Sequence, residues 1–308
     1  MQTPWESVLT MSVVHCMAYP ECITGSGPIA DTLAELAADD FFDAAEITWV
    51  KDPVERARVR DIASQSRLRL GYAAQPVLLL QSLNLNDLDP AGRQNAVGAV
   101  RASIDEAVEM GCERLSFLTG PDPGDADRER ALDALADSVT AICRHARERG
   151  IPISLETFDR DLDKKCLLGP SDLSAEFAAR IREGFAEFGL MYDLSHLPLL
   201  NETPRFALTT LKDYLSHIHV GNCVRVPGRK AFGDQHPRFG FPGGENDVPE
   251  LTEFLKGLFE IGYLRLPADG DKPWVGFEVK PQEGESPDLI LANTKRAWRQ
   301  AWADLQLP

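Results

Sequence analysis

Short apolar runs alternate with longer amphipathic stretches from one end of the chain to the other. The run SVVHCMAYP (12–20) precedes PIADTLAELAADD, whose apolar residues fall at helical spacing. AAEITWV (44–50) predicts a strand, and DPVERARVRDIASQS a helix with Asp52 as N-cap and Pro53 in its first position. RLGYAAQPVLLL (69–80) contains a third strand and leads through the polar loop LNLNDLDP to a helix over about Ala91–Met110. That helix repeats Val97, Val100, Ile104, Ala107 and Val108 on one face. CERLSFLTG (112–120) is the fourth strand, and the helix after the loop PDPGD ends in arginines and Gly150. IPISLETFD (151–159), GLMYDLSHLPLL (189–200), LSHIHVGNC (215–223) and PWVGFEVKP (273–281) supply the remaining strands. The intervening helices are predicted at Ser171–Phe188, at VPELTEFLKGLFEIG and at about Asp288–Leu305.

Eight strand-then-helix units predict an α/β chain folded as one (β/α)8 TIM barrel across 1–308, a fold that takes about 250 residues plus insertions. A doubly wound open sheet is the alternative, because alternation alone does not prove closure. The first strand–helix turn has no G-x-G-x-x-G, which counts against a dinucleotide-binding sheet.

Composition and charge narrow the function. The chain has 308 residues, 44% hydrophobic and 26% charged, an ordinary globular mixture. A net charge of −16 argues against recognition of nucleic acid through its phosphates. No apolar stretch reaches the roughly 18 residues of a membrane span, and MQTPWESVLT lacks the basic and apolar regions of a signal peptide. The six cysteines are dispersed and read as reduced thiols, so a cytoplasmic protein is expected.

In a barrel the chemistry lies at the C-terminal strand ends. There the chain carries Glu156 in ISLETFD, Asp193 in MYDLSH, His217 and His219 in HIH, and Glu278 in GFEVK. Side chains two apart along a strand share a face, so one register sends Glu156, Asp193, His219 and Glu278 to the same mouth. Three carboxylates and one imidazole suit a single Mn, with Mg or Co as alternatives, better than a structural zinc. Set against this is the reading of each as a solvated or salt-bridged strand-end charge.

Other residues carry open alternatives. His196 reads as a contact to a substrate hydroxyl or as a loop histidine. His217 lies one layer deeper and is a core or supporting histidine, and His15 is open between a substrate contact and a core residue. Glu46 faces either the barrel or solvent, Lys280 shares the face of Glu278, and His145 sits on a solvated helix. The loop at about 222–247, rich in Gly, Pro and charge, reads as a lid that brings Arg225, Asp234 and His236 over the site.

On LETFD, YDLSH, HIHVGN and FEVKP, the chain resembles the xylose-isomerase-like superfamily of TIM barrels, which includes sugar isomerases, ketose 3-epimerases and the three-metal AP endonucleases. In the epimerase branch the positions of Glu156, Asp193, His219 and Glu278 bind Mn or a similar cation, and the two glutamates exchange the substrate proton. The positions of His196 and of Arg225, in VRVPG, contact the sugar. Asp234 and His236 look like the Asp-x-His of a further metal site in the endonucleases. Neither RLGYAAQPV nor ERLSFLTG, however, offers the other histidines that branch needs.

HCMAYPE, EITWVKD, MYDLSH and GDQHPRFGFP are similar to the catalytic subunits of bacterial C-glycoside deglycosidases. That likeness implies a carbon–carbon lyase acting on a 3-oxo sugar glycoside, paired with a small β-rich subunit in a hetero-oligomer. Glu156, Glu278 or His236 would remove the proton next to the ketone. The alternative is a metal-dependent ketose 3-epimerase or sugar isomerase, and behind it a non-catalytic sugar-binding barrel.

Overall fold

A computed structural model describes residues 1, 3–266 and 271–306. The strands are β1 (Thr10–Val14), β2 (Ala44–Ile47), β3 (Arg69–Ala73), β4 (Leu115–Leu118), β5 (Ile153–Glu156), β6 (Gly189–Asp193), β7 (Leu215–Val220) and β8 (Trp274–Phe277). Each pairs in parallel with the next, and β1 pairs with β8 as well as β2, so the barrel closes in chain order. Closure excludes the open-sheet alternative.

The helices begin and end where the local chemistry dictates. Asp52 Oδ1 accepts from the Val54 amide at 2.8 Å and caps the helix Pro53–Ser66. Gly111 and Gly150, at φ of 77° and 70°, end the helices Pro90–Met110 and Arg128–Arg149 in the left-handed conformation that glycine adopts without strain. Among the described residues no helix is long and apolar enough to cross a membrane.

Three segments depart from the pattern expected of them. β1 ends at Val14, so His15 opens a helical turn, His15–Ala18, instead of lying in the strand. The third apolar run breaks after Ala73, and Pro76 sits in the first turn of a short helix, Gln75–Leu80. Asp193 is followed by another short helix, His196–Leu200, and Pro204–Leu211 forms a further helix before β7.

Inside the barrel the strands carry several polar side chains. Trp274 at the N-terminal end of β8 lies under the Arg114 guanidinium, 4.3 Å from its ring centre. Above it Ser12, Glu46 and His217 form one hydrogen-bonded group, while Ser154 and Ser216 form another. Ile218 and Val220 of β7 are buried too, as residues of the hydrophobic core that surrounds the sheet. A polar interior needs partners for every group, and the upper mouth is where some of them run out.

Candidate metal centre

Four strand ends deliver one ligand each. Glu156 is the last residue of β5, Asp193 the last of β6, His219 the fifth of β7, and Glu278 follows β8 directly. Register brings them level: Glu156 pairs with Met191, Asp193 with His219, and His219 with Gly276. One ligand atom from each lies within 4.8 Å of the others.

Three of the four ligands are held from behind. Gln75 Nε2 donates to Glu156 Oε2 at 2.7 Å and to Ser116 Oγ at 3.0 Å, leaving Glu156 Oε1 free. The Ser195 amide donates to Asp193 Oδ1 at 2.6 Å, leaving Oδ2 free. His219 places Nε2 at 2.9 Å from Glu46 Oε2 and Nδ1 at 2.9 Å from Glu278 Oε2. Glu156 Oε1 and Asp193 Oδ2 are buried and have no hydrogen-bond partner among the described residues. Buried polar atoms are nearly always satisfied, so these orphans mark where a positive charge belongs.

Electrostatics separates the two glutamates. Burial, reinforced by Glu278, pushes the Glu156 carboxyl up to about 8. Burial acts on Glu278 in the same sense, but His236 and His219 overcome it and hold that carboxyl down at about 2. Asp193 is raised by burial. Two carboxylates driven apart in this way suit opposite roles in proton transfer.

The long loop after β7 folds into the mouth. Asn246 Nδ2 donates to the carbonyls of Gly221 and Leu194, and Asn222 Oδ1 accepts from the Cys223 and Asn246 amides. Asp234 and His236 are thereby buried. Asp234 Oδ1 lies 2.9 Å from His236 Nε2 and 3.2 Å from His196 Nε2, and Oδ2 lies 3.1 Å from Lys164 Nζ. His236 also approaches Glu278 Oε1 at 3.4 Å and Asp193 Oδ2 at 3.9 Å. Burial disfavours a charged imidazole at both histidines. The Asp234 carboxylate outweighs it, pushing His196 up to about 10 and His236 up to about 9. His196 Nδ1 donates to the Thr157 carbonyl at 2.7 Å, so only Nε2 faces this group.

A cavity of about 200 Å³ opens onto the cluster. Glu156, His219, Asp234, His236, Glu278 and Lys280 form its polar side, and Val14, Met17, Ile23, Leu79 and Phe158 its apolar side. Two predicted contacts lie elsewhere. His15 turns away in its helical turn and meets Thr32 Oγ1 at 2.8 Å, with burial lowering it to about 4. Arg225 points outward to the Pro198 carbonyl, Asn201 and Glu245 in a separate groove of about 560 Å³. Neither lines the cavity that opens onto the cluster.

Gln75 and Lys164 are site residues that the pattern of strand ends does not single out. Gln75 stands just past β3 as the one polar residue between two apolar runs, a signal that could have been read. Lys164 lies in a stretch of mixed charge, DRDLDKK, and in the phrase DKKCLLGP that shares in the likeness, but neither assigns it a role.

The family model described as xylose isomerase-like TIM barrel matches residues 34–300. Comparison of the sequence with curated proteins finds no match. Among solved structures, L-ribulose 3-epimerase superposes with a TM-score of 0.73 at 14% identity, over 96% of this chain and 95% of its own. The IOLI protein with a bound zinc atom gives 0.70 at 13% identity, over 97% and 99%. The 3-keto-D-glucoside 4-epimerase of E. coli gives 0.63 at 12% identity, over 96% and 99%. At these identities the likeness is one of fold.

Proposed function

Because the chain belongs to the family of xylose isomerase-like TIM barrels, we propose that it is a divalent-cation-dependent enzyme acting on keto sugars. It removes the proton beside the ketone, and epimerisation or isomerisation is the outcome. The observation that carries this reading is the convergence of Glu156, Asp193, His219 and Glu278 with buried, unpartnered oxygens facing inward. The two epimerases and the zinc-bound barrel among the structural neighbours support it. An oxygen-rich donor set with a single nitrogen fits Mn best, with Mg or Co as alternatives.

A cation held there supplies Lewis acidity toward a ketone oxygen and favours the negative charge that develops when the neighbouring proton leaves. The protein's own residues do the rest. Glu278, kept ionised, and Glu156, held near neutrality in the metal-free chain, are the pair that exchanges the carbon-bound proton. Asp234 keeps His236 and His196 protonated, and His236, which lines the cavity, presents a donor to the oxygens of a bound sugar. Folding of the 222–247 loop over the mouth keeps water from these groups.

The test is incubation of the Mn-loaded protein in deuterium oxide with free ketoses and with 3-oxo-glycosides. Deuterium should enter the carbon beside the ketone, and a chelator should stop it. Exchange that persists after complete metal removal would overturn the reading.

A second reading keeps the first step and changes its outcome. The apolar wall of Val14, Met17, Ile23, Leu79 and Phe158 is more than a free ketose needs, and it suits the aromatic aglycone of a 3-oxo-C-glycoside. In that case the aglycone leaves as the proton is lost, His236 protonates it, and a small β-rich subunit completes the enzyme. Aglycone release, assayed with and without such a subunit, separates the lyase from the epimerase.

A further inference from the structure

We propose that Glu46 is a positioning residue for the cation site. Its carboxylate locks the His219 ring and fixes the ring proton on Nε2, so that Nδ1 is the atom offered to the cluster. The inference rests on the metal-dependent reading above and concerns how this chain makes one of the four ligands.

Glu46 sits in β2, in register between Val14 of β1 and Gly71 of β3, and is buried inside the barrel. Ser12 Oγ, His217 Nε2 and His219 Nε2 all converge on its two oxygens, and a carboxylate offers acceptors to all three. Oε1 therefore accepts from Ser12 Oγ at 2.6 Å and His217 Nε2 at 3.0 Å, and Oε2 from His219 Nε2 at 2.9 Å. All three partners must be donors, so both imidazoles carry hydrogen on Nε2.

For His219 the consequence lies on the other side of the ring. Its Nδ1 stands 2.9 Å from Glu278 Oε2 and 3.9 Å from Glu156 Oε1. A nitrogen lone pair facing carboxylate oxygens is stable only with a positive charge between them, either a proton or a cation. Turning the ring over would set Cδ2 against Glu278 and Cε1 against Glu46, and both contacts would be lost.

The surroundings leave the pair little freedom. A Cβ on Gly276 would lie 2.5 Å from Glu46 Oε1, 2.7 Å from Ser12 Oγ and 2.9 Å from the His219 ring. Glycine at that point of β8 is what admits the carboxylate. The His217 ring stands edge-on between His219, at 4.9 Å, and Trp274, at 5.8 Å. Glu46, His217 and His219 could themselves surround an ion, but their facing atoms are already hydrogen-bonded to one another. The unpartnered oxygens lie one layer higher. The group is thus a support for the centre above it. A mere filler of the barrel would do as well with a neutral amide, which offers one acceptor where three donors converge.

The full-length protein, labelled with 15N at histidine, is titrated with Zn²⁺ as a diamagnetic probe. In the loaded wild type His219 should show a protonated Nε2 and a metal-shifted Nδ1. In Glu46→Gln the Zn²⁺ affinity should fall about 10–100-fold and the His219 tautomer should become mixed. Ser12→Ala, which spares the Glu46–His219 bond, should lose less. Should Glu46→Gln fail to fold, the wild-type spectrum and Ser12→Ala decide. A His219 proton on Nδ1 in the loaded wild type overturns the proposal, as does Zn²⁺ binding by a folded Glu46→Gln at wild-type strength. In both cases the metal-dependent reading survives. Wild-type protein that binds no divalent ion at all overturns both.

Discussion

Glu156 and Glu278 are separated by what each has behind it. An amide from Gln75 holds one oxygen of Glu156, while Glu278 has the His219 and His236 imidazoles at 2.9 and 3.4 Å. Replacing Glu156 by Gln keeps the shape and removes one of the two proton-exchanging carboxyls, so deuterium exchange should fall by about 10²–10⁴-fold. His219→Ala should abolish exchange and weaken cation binding, measured by competition with a metal indicator. A different outcome is expected where the structure moves a residue away from the mouth. Arg225→Ala should leave kcat and KM near wild type, because its guanidinium lies in an outer groove with Glu245. His196→Ala should raise KM, because its Nε2 faces the group around Asp234. Equal damage from both variants would mean that the long loop rearranges before the substrate is engaged.

The loop at 222–247 is fastened to the loop after β5, and that junction decides where His236 sits. Asp159 accepts hydrogen bonds from the amides of Leu162, Asp163 and Lys164. Asp163 Oδ2 in turn accepts from the Asp234 amide at 2.9 Å and from Lys164 Nζ at 3.2 Å. Asp163→Ala removes both bonds and should loosen the junction. A displacement of about 1 Å at a reacting group costs about 10²-fold, so exchange should drop by roughly tenfold or more. Limited proteolysis should then cut faster at Arg225–Lys230, an exposed stretch of the loop, than it does in the wild type. Against this, the parts that were legible in the sequence are those governed by short-range periodicity. The alternation of side chains along β5 to β8 placed Glu156, Asp193, His219 and Glu278 on one face. The number of strand–helix units indicated the barrel. His15 was misplaced because the chain turns helical one residue past β1, which the apolar pattern does not signal. Arg225, Lys164 and Gln75 depend on how two loops and a short helix pack, and those contacts span tens of residues.

For the whole molecule, the cluster makes stability depend on pH and on the cation together. In the metal-free chain Glu156 is pushed up to about 8, His236 to about 9 and His196 to about 10. Groups raised by folding contribute stability that is fully present below their ordinary values, 4.5 for the glutamate and 6.5 for the histidines. That contribution is lost as pH climbs through the folded values. His15 and His217 run the other way: burial lowers both to about 4. Their contribution is present above 6.5 and lost as pH falls through about 4. The two trends cross near pH 6.5, where metal-free protein should be most stable. From there to pH 9.5 its melting temperature in chelator should fall. A bound cation replaces the protons that the cluster otherwise needs, so Mn should remove much of the alkaline loss. At a hundred times Kd it adds about 2.7 kcal/mol, which for a chain of this size is on the order of 5 °C. Calorimetric scans from pH 5 to 9.5, with Mn and with chelator, read both effects in one experiment. Parallel curves would mean that the cation does not bind at Glu156. A gap that widens with pH would mean that it takes the place of the Glu156 proton.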